Sequence, residues 1–351
     1  MAKKKIGLAL AGGGVKGAYQ VGVYKALLDS KVKISGVVGT SIGSFNAAMI
    51  ASEDIDKLEY FWTHEDFGKL LGFLENIDIA KKNYTNYIKE ITVPFKSMIA
   101  NKGFPMEGLK NRVGEIINEK HLRDSDIEFG LATYRLKDKK KLYVFKEDIA
   151  KGKVADYIAA SCYLPLFHYQ KLEEDSYYLD GGFWDNIPYN MFENKGYDLI
   201  YAIELKSIGI VNKNITDAQI ISIKPTRPLG HMLNTNKYKI KENITLGYFD
   251  GIKVFKNLDG YKYIFKNKPK WMYDFLLRKL SKKNLKRAQV YFLTRNNKEL
   301  VLKSIEYILR KEGKKYYNIY NPFKEIKRIK KIKDYKKNSV PYMVIKNLKI
   351  F

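Results

Sequence analysis

An α/β fold is predicted, with a mostly parallel sheet covered by helices on both faces and a basic, mainly helical C-terminal region behind it. Three observations predict it. Through about residue 205, strand-sized apolar runs alternate with segments of helical spacing, the order that builds a parallel sheet between helical layers. The early apolar runs stop at glycines, as buried strands do when they enter tight turns. Charge also divides the 351 residues unevenly. Residues 251–351 carry 29 Lys+Arg against 7 Asp+Glu, or +22, whereas the other 250 carry 35 against 31, only +4. The expected division is therefore 5–205 for the α/β domain and 206–351 for an extension that is strongly basic from about 251.

Each element follows from local pattern. Residues 6–11 are apolar and end at Gly12 to Gly14, giving a buried strand and a sharp turn. From Ala18 to Leu28, Tyr19, Val23, Ala26 and Leu27 keep helical spacing, so the turn feeds a helix. Residues 35–39 form a second buried strand, and 44–51 a helix that is apolar nearly all round and hence buried. Residues 52–125 read as mainly helical and more polar. Strands return at 127–134 and 142–145, joined by the charged turn 137–141. A helix over 154–162 ends before Pro165, and strands follow at 177–179 and 199–204. Beyond 205 the pattern loosens, except for a helix over 237–255.

Composition narrows the classes. No run approaches the roughly 18 consecutive apolar residues of a membrane-spanning helix, so none is expected. Lys3 to Lys5 followed by a short apolar run imitates a secretory leader, but the run is too short and reads better as the first strand. The single cysteine, Cys162, excludes an intramolecular disulfide, fits a reducing compartment, and reads as a small packed residue. The concentrated positive charge points to an anionic partner, either a phospholipid surface or nucleic acid. Abundant Lys, Ile, Asn and Tyr also fit A+T-rich coding, which would leave a solvated basic face with no partner.

Three motifs carry chemistry. The first is Gly12-Gly13-Gly14-Val15-Lys16-Gly17, where a strand gives way to a helix. Converging amides and the helix N-terminus suit an oxyanion or a phosphate. A dinucleotide site would want an acid about 20 residues on, at a strand end; the nearest, Asp29, closes the helix instead. The second is Gly39-Thr40-Ser41-Ile42-Gly43, a G-x-S-x-G between a buried strand and a buried helix. That context makes Ser41 a nucleophile on a strained turn, or else an inert helix cap. Serine needs a base, and none of His64, His121, His168 and His231 lies in a glycine-bounded turn after a strand. The third motif, Tyr177-Tyr178-Leu179-Asp180-Gly181-Gly182, instead places a carboxylate at a strand end before two glycines.

Taken in this order, the glycine-rich turn, G-x-S-x-G and D-G-G closely resemble the patatin-like phospholipases. Residues 160–167, ASCYLPLF, resemble the segment before that family's aspartate, and Asn186-Ile187-Pro188 resembles its N-x-P. The resemblance spans about 5–205 and implies a three-layer α/β/α fold and a serine–aspartate dyad. By it, Ser41 is the nucleophile, Asp180 its proton acceptor, and the amides of Gly13 and Gly14 the oxyanion hole. Gly12, Gly17, Gly39, Gly43, Gly181 and Gly182 complete the motifs. Lys16 stands where the family often has arginine, either to steer a phosphate or to pair with a carboxylate. No metal and no cofactor is implied. The expected activity is hydrolysis of phospholipids or other lipid esters by a cytoplasmic enzyme with peripheral contact to an anionic membrane. The resemblance favours membrane over nucleic acid. Acyl transfer or thioester cleavage by the same dyad is the alternative among enzymes. A non-catalytic module binding membrane or nucleic acid is the alternative outside them.

In the basic region, Phe323, Ile326, Ile329 and Ile332 alternate with Lys and Arg along a helix. That stripe would either enter a bilayer interface or pack on the catalytic domain. Trp271, Tyr273 and Phe275 read as interfacial anchors or as core.

Overall fold

A computed structural model describes residues 4–67, 107–164, 171–332 and 339–349. The segments expected at 68–106, the residues from Pro165 to His168, and Lys333 lie outside the described residues. The chain forms two compact units, Met1–Gly251 and Ile252–Phe351.

The first unit follows the expected alternation. Strand β1 (Ile6–Leu10) leads through a 3-10 turn to α1 (Ala18–Asp29), then β2 (Gly36–Thr40), α2 (Ile42–Ala51) and α3 (Ile55–His64). Next come α4 (Glu107–Ile116), α5 (Glu119–Asp124), β3 (Glu128–Arg135), β4 (Lys140–Phe145) and α6 (Val154–Ser161). Strands β5 (Tyr178–Asp180), β6 (Leu199–Ile203) and β7 (Gln219–Ile223) follow, then α7 (Lys237–Phe255). The seven-stranded sheet runs β4-β3-β2-β1-β6-β7, with β5 also paired to β3. Pairing is parallel from β3 through β7, and antiparallel where β3 meets β4 and β5. All five residues of β2 are buried, and so are four of five in β1 and in β6. Successive strand side chains point to opposite faces, so both faces are covered, as three layers require.

This unit extends well past residue 205. β7 pairs with β6 over five residues, and Tyr19 donates from its hydroxyl to Asp250 at 3.1 Å. α7 lies directly against α1, because a Cβ at Gly22 would fall 1.9 Å from the Ile244 carbonyl oxygen. Reciprocally, one at Gly247 would fall 2.0 Å from that of Tyr19. The two helices therefore touch backbone to backbone, through glycines on each.

The second unit contains β8 (Ile264–Phe265), α8 (Lys270–Leu277), α9 (Lys282–Phe292), α10 (Asn297–Lys311), β9 (Ile319–Tyr320), α11 (Pro322–Lys331) and α12 (Val340–Lys346), with β8 and β9 paired in parallel. Its core includes Phe265, Tyr273, Ile305, Leu309, Val344 and Ile345. The stripe on α11 joins that core: Ile326 and Ile329 are 2% and 0% exposed. Neither expected partner for the stripe is therefore the observed one. A face already committed to the unit's own apolar core is not offered to a bilayer or to another domain. Tyr273 is core, Phe275 half-buried, and Trp271 exposed.

Candidate active site

The end of β2, the start of α2 and the end of β1 converge so closely that side chains are excluded. A Cβ on Gly39 would sit 2.1 Å from the Gly43 carbonyl oxygen, and one on Gly43 would sit 2.5 Å from that of Leu10. Ser41, between them, takes φ 55° and ψ −132°. An L-residue held there carries strain of about 1–3 kcal/mol, so its surroundings must fix it. They do so through hydrogen bonds. The Ser41 amide donates to Ser161 Oγ at 2.9 Å, and that hydroxyl donates to the Ala132 carbonyl at 2.7 Å. The Ser41 carbonyl accepts from the Ser44 amide at 2.7 Å and the Ser44 hydroxyl at 2.6 Å.

Strand register brings Asp180 to this serine across a separation of well over a hundred residues. Along β3, residues 128–132 pair with β2, and residues 133–135 pair with β5. Ala132 is opposite Thr40 and Thr133 is opposite Asp180, so the C-terminal ends of β2 and β5 abut. Gly181 permits the abutment, since a Cβ there would lie 2.2 Å from the Ala132 carbonyl oxygen. Asp180 is only 4% exposed, and its Oδ1 accepts from the Gly182 amide at 2.7 Å. Burial raises its carboxyl from 3.8 to about 6, while hydrogen bonds from the Ser41 hydroxyl and the Gly182 amide favour the charged form and limit the rise.

Both residues line a cavity of about 310 Å³, together with Gly12, Gly13, Asn186 and Ser207. No histidine is among its described lining residues. Gly12 and Gly13 face the cavity; Gly14 does not. Gly14 adopts φ 57°, and a Cβ on it would lie 2.3 Å from the Met232 carbonyl oxygen. That same carbonyl accepts from the Val15 amide at 2.9 Å. A loop beyond β7 thus closes the glycine-rich turn, a contact that no local sequence pattern announces. Lys16 donates from Nζ to the Lys206 carbonyl at 3.2 Å, and burial lowers its pKa.

Sequence reasoning missed two neighbours of the dyad. The Asn186 side chain fits among three loops, and a Cβ at Gly12, Gly182 or Gly209 would come within 2.7, 3.0 or 2.6 Å of it. Its Nδ2 donates to Ser207 Oγ at 3.2 Å, and Ser207 donates to the Gly12 carbonyl. The N-x-P resemblance named this residue without a role. Cys162 is the other: its thiol adjoins Asp180 and the hydroxyls of Ser41 and Ser44. Burial first, and then the charge of Asp180, push its pKa up and keep it a neutral thiol.

The family model described as patatin-like phospholipase matches residues 8–192. Lysophospholipase nte1 of Aspergillus terreus is 29% identical over 206 residues, which are 58% of this chain and 12% of that protein. Lysophospholipase NTE1 of Pyricularia oryzae is 26% identical over the same shares. The chain thus matches only about an eighth of the length of these relatives. Among solved structures, VipD from Legionella pneumophila superposes with a TM-score of 0.43 at 13% identity, covering 97% of this chain and 83% of that one.

Proposed function

The chain belongs to the patatin-like phospholipase family, and from that premise we propose that it cleaves lipid esters, with Ser41 as nucleophile and Asp180 as general base. The observation that carries the reading is the meeting, in one cavity, of a strained serine and a buried carboxylate whose pKa is raised to about 6. Such a carboxylate is ionised at neutral pH, yet a stronger base than an exposed one.

In the acylation step Ser41 Oγ bonds to the ester carbonyl carbon and its proton passes to Asp180. The carbonyl π pair moves onto oxygen, where backbone amides of the glycine-rich turn receive it. Gly13 is the better placed of the two expected donors, because Gly13 faces the cavity and Gly14 packs on Met232. One such donor is worth about 3–4 kcal/mol in comparable sites. Collapse breaks the bond to the leaving alcohol, which takes the proton from Asp180. Water then enters by the same route: Asp180 removes its proton, its oxygen bonds to the acyl carbon, and Ser41 leaves with the proton returned.

The relatives named above are lysophospholipases, which makes single-chain phospholipids the first substrates to test. Cytoplasmic action at a membrane surface belongs to the same reading; no described helix is long and apolar enough to cross a membrane. The test is turnover of a short-chain chromogenic ester and of lysophospholipid by wild type, Ser41→Ala and Asp180→Asn. Turnover lost in both folded variants supports the dyad. Failure of a fluorophosphonate to label Ser41 in folded protein would remove it.

A further inference from the structure

From Lys206 to Thr216 the chain leaves β6 and crosses the mouth of the cavity before β7. It is an ordered loop. The Ile210 amide donates to the Gly182 carbonyl at 3.1 Å, and the Ile210 carbonyl accepts from the Asn186 amide at 2.6 Å. Asn212 Nδ2 donates to the Trp184 carbonyl at 3.0 Å, and Asn190 Nδ2 to the Lys213 carbonyl at 2.9 Å. Hydrogen bonds at Ile210, Asn212 and Lys213 therefore hold the loop in place, yet its aliphatic side chains face water. Ile208 is 96% exposed, Ile210 54%, Val211 51% and Ile215 57%, with Phe183 beside them at 49%. Large apolar side chains gathered in one short, hydrogen-bonded loop and left in water mark a contact surface.

We propose that this loop and Phe183 form the face by which the enzyme seats on a lipid bilayer, an inference that rests on the lipid-ester reading above. Two features favour lipid over a protein partner. Phe183 and Ile208 both line the cavity and are exposed, so the patch reaches the edge of the substrate cavity. A protein seated there would close the entrance, whereas a bilayer seated there delivers lipid into it. Charge agrees: the segment carries Lys206 and Lys213, both exposed, and no carboxylate, which suits anionic head groups.

The test uses the full chain carrying Ser41→Ala, so that vesicles are not consumed, and compares it with the same protein bearing Ile210→Ser and Val211→Ser. Neither of these side chains lines the cavity. Partitioning onto phosphatidylcholine vesicles at high salt, where the basic second unit is screened, is expected to fall about tenfold. A polarity-sensitive fluorophore on Ile208→Cys is expected to brighten when vesicles are added; Cys162, the one native cysteine, is buried and escapes labelling. With Ser41 intact, the double variant should keep its rate on a soluble short-chain ester and lose rate on vesicle substrate. Equal partitioning of the two proteins, or a fluorophore indifferent to vesicles, overturns the proposal and leaves the patch to a protein partner. The vesicle-partitioning arm needs no turnover. If wild type cleaves no ester, the hydrolase reading fails while the docking surface is still decided.

Discussion

Asp180→Asn should abolish turnover and, at neutral pH, make the protein more stable. The carboxyl is carried from 3.8 to about 6 inside the fold, a preference for the protonated form of about 3 kcal/mol. The sign follows from proton counts. Between about pH 4 and pH 6 the unfolded chain has released this proton and the folded chain still holds it, so stability falls as pH rises through that window. Above it, wild type carries the full cost of a buried charge. Asparagine cannot ionise, and its carbonyl can still accept from the Gly182 amide. The variant is therefore expected to match wild type near pH 4, and to exceed it by about 3 kcal/mol near pH 7. For a unit of some 250 residues that is a rise in Tm of about 6–12 °C. Thermal unfolding of both proteins at the two pH values measures it. A Tm difference independent of pH, or a less stable variant near pH 7, would refute the claim that burial sets this pKa.

Three further outcomes follow from the same geometry. Because Asp180 must be ionised to accept the serine proton, kcat/KM on a soluble ester should climb through about pH 6; a flat profile across that value excludes Asp180 as the base. Ser41→Gly relieves the φ 55° strain that Ser41→Ala retains, so it should be the more stable of the two inactive variants by about 1 kcal/mol in denaturant, and equal midpoints would deny the strain. Ile329→Ala, in the core of the second unit, should cost about 2–5 kcal/mol, and a loss below about 1 kcal/mol would contradict its burial.

Local pattern carried much of the fold. Apolar runs closed by glycine located β1 and β2 to within a residue or so, because a strand covered on both faces has no polar positions to blur it. Gly39, Gly43 and Gly181 were legible for the reason the structure gives, that a Cβ there strikes backbone, whereas one on Gly182 would meet the side chains of Asn186 and Asp180. β7 escaped notice: its outer residues face solvent, so Gln219 and Ser222 break the apolar run that marks an inner strand. The Met232 carbonyl against Gly14 and the Asn186 contacts were also hidden, since they join segments distant in sequence through backbone atoms or one amide side chain. The α11 stripe was read correctly as amphipathic, but periodicity says only that a face is covered, not what covers it. Its burial came from α10 and α12, whose own patterns give no sign of the pairing.

The close seating of α7 on α1, through Gly22 on one helix and Gly247 on the other, bears on how this protein can be divided. The segment matched by the family model stops at Phe192, before β6 and β7 are made and before Met232 reaches the glycine turn. Grafting that segment alone into another protein would leave the turn open and α1 bare along the line where α7 lies. The compact unit that holds the site runs to Gly251, some sixty residues beyond the end of the family match.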